Sequence, residues 1–212
     1  EGAFTHIMQV AHGTLRSGGP ALGSNVAVVG LGVIGLSAIA FCNAFGLRSA
    51  AIDVHPRRLQ ISREMGAGLA ISPREPDFHD ALIDHFGGQG PDLVLEAASV
   101  WPAIKTSMDI VRVGGKIVVV ARHTDRPDFN PVGHPYLTKQ LTLMTFKGFE
   151  PEGQRWDYAH HVGLTLDLIT ERRMNIGPMI THRVDWHELP DVYARLDRGE
   201  LDMVGIVARW SD

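Results

Sequence analysis

Hydrophobic positions along this chain alternate between two periods. Apolar runs at 26–30, 50–54, 92–97 and 116–121 are short and rich in Val, Ile, Leu and Ala. That pattern predicts parallel strands buried on both faces. Between them, 33–45, 56–65, 77–86 and 102–111 carry helical spacing, and Gly46, Gly66, the cluster Gly87-Gly88-Gln89-Gly90-Pro91 and Gly114-Gly115 fall where each helix should hand over to the next strand. The alternation predicts an α/β fold, a doubly wound parallel sheet covered by helices on both faces. Ahead of it, Phe4, Ile7, Met8, Ala11 and Leu15 recur as on one helix face over 4–17, which Ser17-Gly18-Gly19-Pro20 stops. Arg122–Tyr136 shows no period and reads as a long loop, and 141–147 reads as a further strand.

From Pro151 the rhythm changes. A helix over 155–173, a strand over 179–184, a helix over 187–198 and a strand over 203–209 are expected, a C-terminal α+β segment that leaves the wound pattern. The organisation anticipated is therefore a linker helix at 1–22, a wound domain at 23–150 and a separate segment at 151–212.

Composition narrows the function classes. With 212 residues, 21% charged, and a formal net charge of −4 whose basic residues are dispersed, the chain offers no nucleic-acid surface. Cys42 stands alone, which rules out an intramolecular disulfide and a Cys-rich zinc site and agrees with a reducing compartment. There is no apolar run of 18 residues, and the first residues, Glu1 to His6, lack the layout of a signal peptide. No membrane association and a cytoplasmic location are the expectations.

The chemistry-bearing motif lies where the first strand meets its helix. Gly30-x-Gly32-x-x-Gly35 sits between them, and the acidic Asp53 ends the next strand 18 residues past Gly35. In that context the glycines form a dinucleotide-binding fingerprint, and the fold expected is of Rossmann type. Gly30 would permit the tight turn, Gly32 would let the backbone approach a pyrophosphate, and Gly35 would let helix and strand pack closely. Asp53 would accept the ribose hydroxyls and repel a 2′-phosphate, favouring NAD over NADP, although Arg57 and Arg58 follow nearby.

With these residues in place, the sequence resembles the medium-chain dehydrogenase/reductase family, in its zinc-type alcohol dehydrogenase branch of sorbitol and threonine dehydrogenase-like enzymes. The likeness runs through Val26–Gly35, Asp53-Val54-His55-Pro56-Arg57-Arg58-Leu59, Met65-Gly66-Ala67, Pro91–Ala98, Val113–Val120, Lys139–Gly148 and Pro178–His182. It implies pyrophosphate contacts from the backbone of Val33 and Ile34, ribose contacts from Asp53 and Arg58, and a nucleotide path along Ala97, Ala98, Val120 and Ala121. It also implies a homo-oligomer joined through the 141–149 strand. The family's N-terminal half, with its catalytic zinc ligands, has no counterpart in this sequence, so zinc is expected only on that half. Two departures stand out: Thr5-His6 occupies the place of a common Glu-Pro, and Met203 replaces a common Lys or Arg against the pyrophosphate.

No catalytic or metal-binding residue is assigned. No two histidines sit four apart on a helix, His160 and His161 point to different faces, and His182 and His187 span a turn. Ser37 and Ser62 lack a nucleophile elbow, and Cys42 lies on an apolar helix face as a buried thiol would. The function expected is the cofactor-binding portion of an NAD-dependent alcohol or polyol dehydrogenase, moving hydride between a small-molecule alcohol and NAD. The alternatives are an NAD(H)-binding module without catalysis, or a zinc-free NADPH-dependent quinone or enoyl reductase.

Overall fold

The computed structural model describes residues 2–120, 122–146, 152–200 and 202–210. Its centre is a six-stranded sheet of β1 (Asn25–Val29), β2 (Arg48–Ile52), β3 (Leu69–Ile71), β4 (Leu93–Glu96), β5 (Lys116–Val119) and β6 (Thr142–Thr145). The spatial order is β3-β2-β1-β4-β5-β6, and every pairing is parallel. The predicted doubly wound sheet is present. Its order reverses between β1 and β4, which opens a crevice at the carboxyl ends of those two strands.

Each strand feeds both faces, as the period of two requires. Val26, Val28, Leu95 and Val118 point into the layer shared with α1 (Thr5–Gly18) and α2 (Val33–Ala44). Ala27, Val29, Ile52 and Val94 point into the opposite layer with α4 (Phe78–His85) and α5 (Trp101–Ile110). Helix α2 is apolar on all sides because it is sandwiched: Leu36, Ile39, Phe41 and Cys42 are all fully buried. Burial pushes the Cys42 thiol up to about 12, the inert thiol expected of an apolar helix face. Helix α3 (Pro56–Glu64) opens with a proline in its first turn, where the missing N–H costs nothing.

Several sequence expectations shift. Strand β3 was not anticipated, because three residues between Gly68 and Ser72 are too short to display a period; its parallel pairing to β2 creates it. Strand β2 begins at Arg48 and ends at Ile52, so Asp53 lies just past the strand rather than within 50–54. The boundary near 150 and residues 147–149 of the 141–149 strand fall outside the described residues, and β6 covers four residues of it.

The C-terminal segment departs from its reading in several details. Helix α6 (Tyr158–Thr170) packs on α1, and β7 (Ile180–Asp185), α7 (Leu189–Asp197) and β8 (Gly205–Arg209) follow. Strands β7 and β8 are parallel and form their own two-stranded sheet, so the wound strand-helix-strand logic continues there in a second sheet. A short 3-10 turn, Trp186–Glu188, replaces the first residues of the expected helix, because Asp185 and Glu188 form a reciprocal cap around it. No helix among the described residues is long and apolar enough to cross a membrane.

Candidate dinucleotide site

The glycine motif sits at the exit of β1, where Gly30 N–H still bonds the Ile52 carbonyl before the chain turns into α2. Gly30 has φ +92, a conformation side chains disfavour, and a Cβ there would press on the backbone of Ala98 at 2.7 Å. Gly35 lies in the first turn of α2, where a Cβ would strike the Gly30 carbonyl oxygen and touch Val28 at 3.4 Å. Gly32 differs from both. A Cβ there would meet nothing within 4 Å. The fold therefore requires two of the glycines for itself, and the third faces open space over the helix start.

Gly32 is the N-cap of α2 and brings no side chain to its orphan donors. The first N–H groups of the helix, at Val33 and Ile34, have no intrahelical acceptor. Their dipoles and the helix field favour an anion at that spot. Two clefts meet there. One, of about 300 Å³, is lined by Gly30, Gly32, Asp53, Arg58, Ala97 and Ala98 together with Val100, Pro102 and Ala103. The other, of about 480 Å³, is lined by Gly32, Val33, Ile34 and Ala97 with Phe4, Ile7 and Ile206. Gly32 and Ala97 belong to both, so one groove crosses the switch point from side to side.

Asp53 does more than the sequence suggested. Its Oδ2 accepts the Leu31 N–H at 2.7 Å and its Oδ1 accepts the His55 N–H at 2.9 Å, while the Arg58 guanidinium lies 3.7 Å from Oδ2. The carboxylate thus fastens the glycine loop to the end of β2, and each oxygen keeps a second lone pair for a ligand. Arg58 presents a buried Nε without a partner, and Arg57 instead turns to Gln60 at 3.2 Å.

The remaining expected residues divide. Ala97 N–H bonds the Val29 carbonyl and continues the ladder at the switch point, whereas Val120 N–H bonds the Glu96 carbonyl between β5 and β4 and Val120 lines neither cleft. Ala121 lies outside the described residues. Met203 is buried, Thr5 bonds the nearby Gly2 carbonyl, and His6 meets the Tyr158 hydroxyl of α6 at 3.2 Å. Sequence reasoning missed Glu96, a fully buried carboxylate, and its partner His123 at 2.9 Å. The one available signal was an ionisable residue closing the apolar strand Leu93-Val94-Leu95.

Similarity to known proteins agrees with this geometry. The profile of the zinc-binding dehydrogenase family matches residues 33–159. The chain belongs to that family. It is 29% identical over 209 residues to the D-xylulose reductase of Scheffersomyces stipitis, covering 94% of this chain and 54% of that protein. Among solved structures, an alcohol dehydrogenase from Thermus sp. ATN1 superposes with a TM-score of 0.78 at 28% identity, over 98% of this chain and 59% of that one. A short chain alcohol dehydrogenase of Escherichia coli CFT073, solved with NADH, shares the fold with a TM-score of 0.77 at 17% identity, over 98% of this chain and 58% of that one. The chain spans about half the length of the curated relatives it matches.

Zinc is a different matter from the nucleotide. Among the described residues no three His, Cys, Asp or Glu side chains stand close enough together to hold a metal ion.

Proposed function

We propose that this chain is the NAD-binding portion of a dehydrogenase that acts on an alcohol or polyol. The observation that carries the reading is the division of labour among the three glycines: Gly30 and Gly35 are fixed by packing, whereas Gly32 is bare over a helix start in a groove that crosses the switch point. The Val33 and Ile34 amides would hold the pyrophosphate. Asp53 and Arg58 would flank the adenosine ribose, and Ala97, Ala98, Val120 and Ala121 would follow the path toward the nicotinamide. Asp53 supports NAD over NADP, since its carboxylate would oppose a 2′-phosphate. Bound there, NAD would supply the hydride acceptor, and this chain's part is to bind it, orient it and keep water from its buried wall.

Strand β6 supports a homo-oligomer. It is the last strand in the sheet, with Thr142, Leu143 and Thr145 exposed and no charge or proline to blunt its edge. Pairing of two such edges would cover the β6 edge of each sheet. The lone, buried Cys42 suits a reducing compartment such as the cytoplasm.

The test is direct titration of the purified chain with NADH and NADPH, followed by nucleotide fluorescence. Saturable binding with NADH preferred supports the reading, and no binding of either nucleotide would discard it.

A further inference from the structure

Glu96 is the last residue of β4 and is paired in register with Val29 on one side and Val119 on the other. A carboxylate with no solvent exposure at the centre of a sheet is costly unless every oxygen is engaged. Here Oε1 accepts the N–H groups of Ala98 at 2.8 Å and Ser99 at 3.2 Å, and Oε2 accepts Nε2–H of His123 at 2.9 Å. The side chain therefore joins two loops that share no sequence neighbourhood. One is the β4–α5 turn, whose Ala98 leaves no room for a Cβ on Gly30. The other is the loop leaving β5.

His123 is itself held on two sides. Its imidazole, 8% exposed, lies 4.8 Å from the Trp101 ring, and Trp101 Nε1–H donates to the Asp125 carbonyl at 2.7 Å. Two contacts thus clamp the segment 123–125 onto the start of α5, and the bond to Glu96 ties it to the end of β4. In a sheet of this order, the β1-β2-β3 side takes the adenosine half of a dinucleotide and the β4-β5-β6 side takes the other half. The clamped loop stands on the second side.

We propose that His123 and Glu96 are positioning residues that set affinity for the nicotinamide half of the nucleotide, an inference that rests on the dinucleotide reading above. Glu96 fixes the turn at Ala98, which lines the groove, against the glycine loop, and His123 ties the loop leaving β5 to the same carboxylate. Removal of His123 leaves Oε2 buried without its donor and releases the loop.

The experiment measures NADH and AMP dissociation constants, with thermal midpoints, for the intact 212-residue chain and for His123→Ala and His123→Gln. His123→Ala should weaken NADH by about tenfold while AMP changes by less than about twofold. His123→Gln, which keeps an Nε2–H donor, should return NADH to within about threefold of the parent chain. Equal weakening of NADH and AMP, or no change in either, overturns the proposal. If His123→Ala does not fold, Trp101→Phe removes the Nε1–H bond to Asp125 and part of the ring that packs on His123, and must reproduce the NADH-selective loss; unchanged NADH affinity there overturns it as well. A parent chain that binds neither AMP nor NADH refutes the dinucleotide reading and this proposal together, whereas a parent that binds both, with indifferent variants, refutes the positioning role alone.

Discussion

His12 of α1 and His161 of α6 meet Nδ1 to Nδ1 at 2.8 Å inside the protein, although 149 positions separate them. One nitrogen must carry the proton and the other the lone pair. The His12 ring is sandwiched further by Phe41 at 5.1 Å and Trp156 at 5.0 Å. Burial, then the neighbouring His161, then Arg16 lower the His12 imidazole to about 3. The pair ties the C-terminal segment to the helix that precedes the sheet.

A pH dependence of stability follows. Unfolded His12 takes up a proton as pH falls through its ordinary value of 6.5, while folded His12 stays neutral down to about 3. The unfolded state therefore binds more protons across that window, so the stability is complete above 6.5 and is lost progressively as pH falls toward 3, by at most about 1.4 kcal/mol per pH unit. Urea midpoints at pH 7.5 and 5.0 should show a larger acid loss for the parent chain than for His12→Phe, which keeps the ring stacking without the titration. Parallel losses in both proteins would place the acid sensitivity elsewhere.

Two glycine substitutions should separate folding from binding. Gly35→Ala drives a methyl into the Gly30 carbonyl and should destabilise the chain by about 3 kcal/mol or more. Gly32 has φ −71 and open space beside it, so Gly32→Ala should leave stability within about 0.5 kcal/mol and yet weaken NADH. Chemical denaturation and nucleotide titration of both variants provide the check.

Ser99 sits at φ +60 in the turn after β4, a conformation that side chains disfavour. Ser99→Gly retains the N–H bonded to Glu96 and removes the strain. A gain of about 0.5–1 kcal/mol in unfolding free energy is expected, measured by urea denaturation.

Asp53→Ala deletes the acceptor for two backbone N–H groups, that of buried Leu31 among them. The variant should lose about 1–3 kcal/mol of stability, bind NADH more weakly and discriminate less against NADPH. Asp53→Asn, which keeps one carbonyl acceptor, should recover part of the stability. A variant with full stability and altered nucleotide preference would remove the loop-fastening role.

Leu143 is partly exposed on the edge strand β6. Leu143→Lys should shift the chain toward monomer in light scattering coupled to gel filtration, with little effect on its thermal midpoint. An assembly unchanged by the substitution would mean that another surface joins the copies.

The sequence by itself determined the wound sheet, because fully buried parallel strands must be continuous apolar runs and their helices must alternate with them. It also determined the glycine turn, since the spacing from Gly30 to Asp53 is a local consequence of strand, turn and helix lengths. What it left open was everything made by contact at a distance. Strand β3 exists only because β2 offers an edge to three residues too short to show a period. The Asp53 carboxylate reads as a ribose acceptor in sequence, and only the return of β2 beside β1 reveals that it also fastens Leu31. Glu96 with His123 and His12 with His161 carry no spacing at all, since their partners arrive from different loops and helices. Local patterns follow from backbone periodicity, which each segment carries alone. Buried polar partnerships follow from packing, which desolvates a side chain first and thereby dictates which distant group must satisfy it.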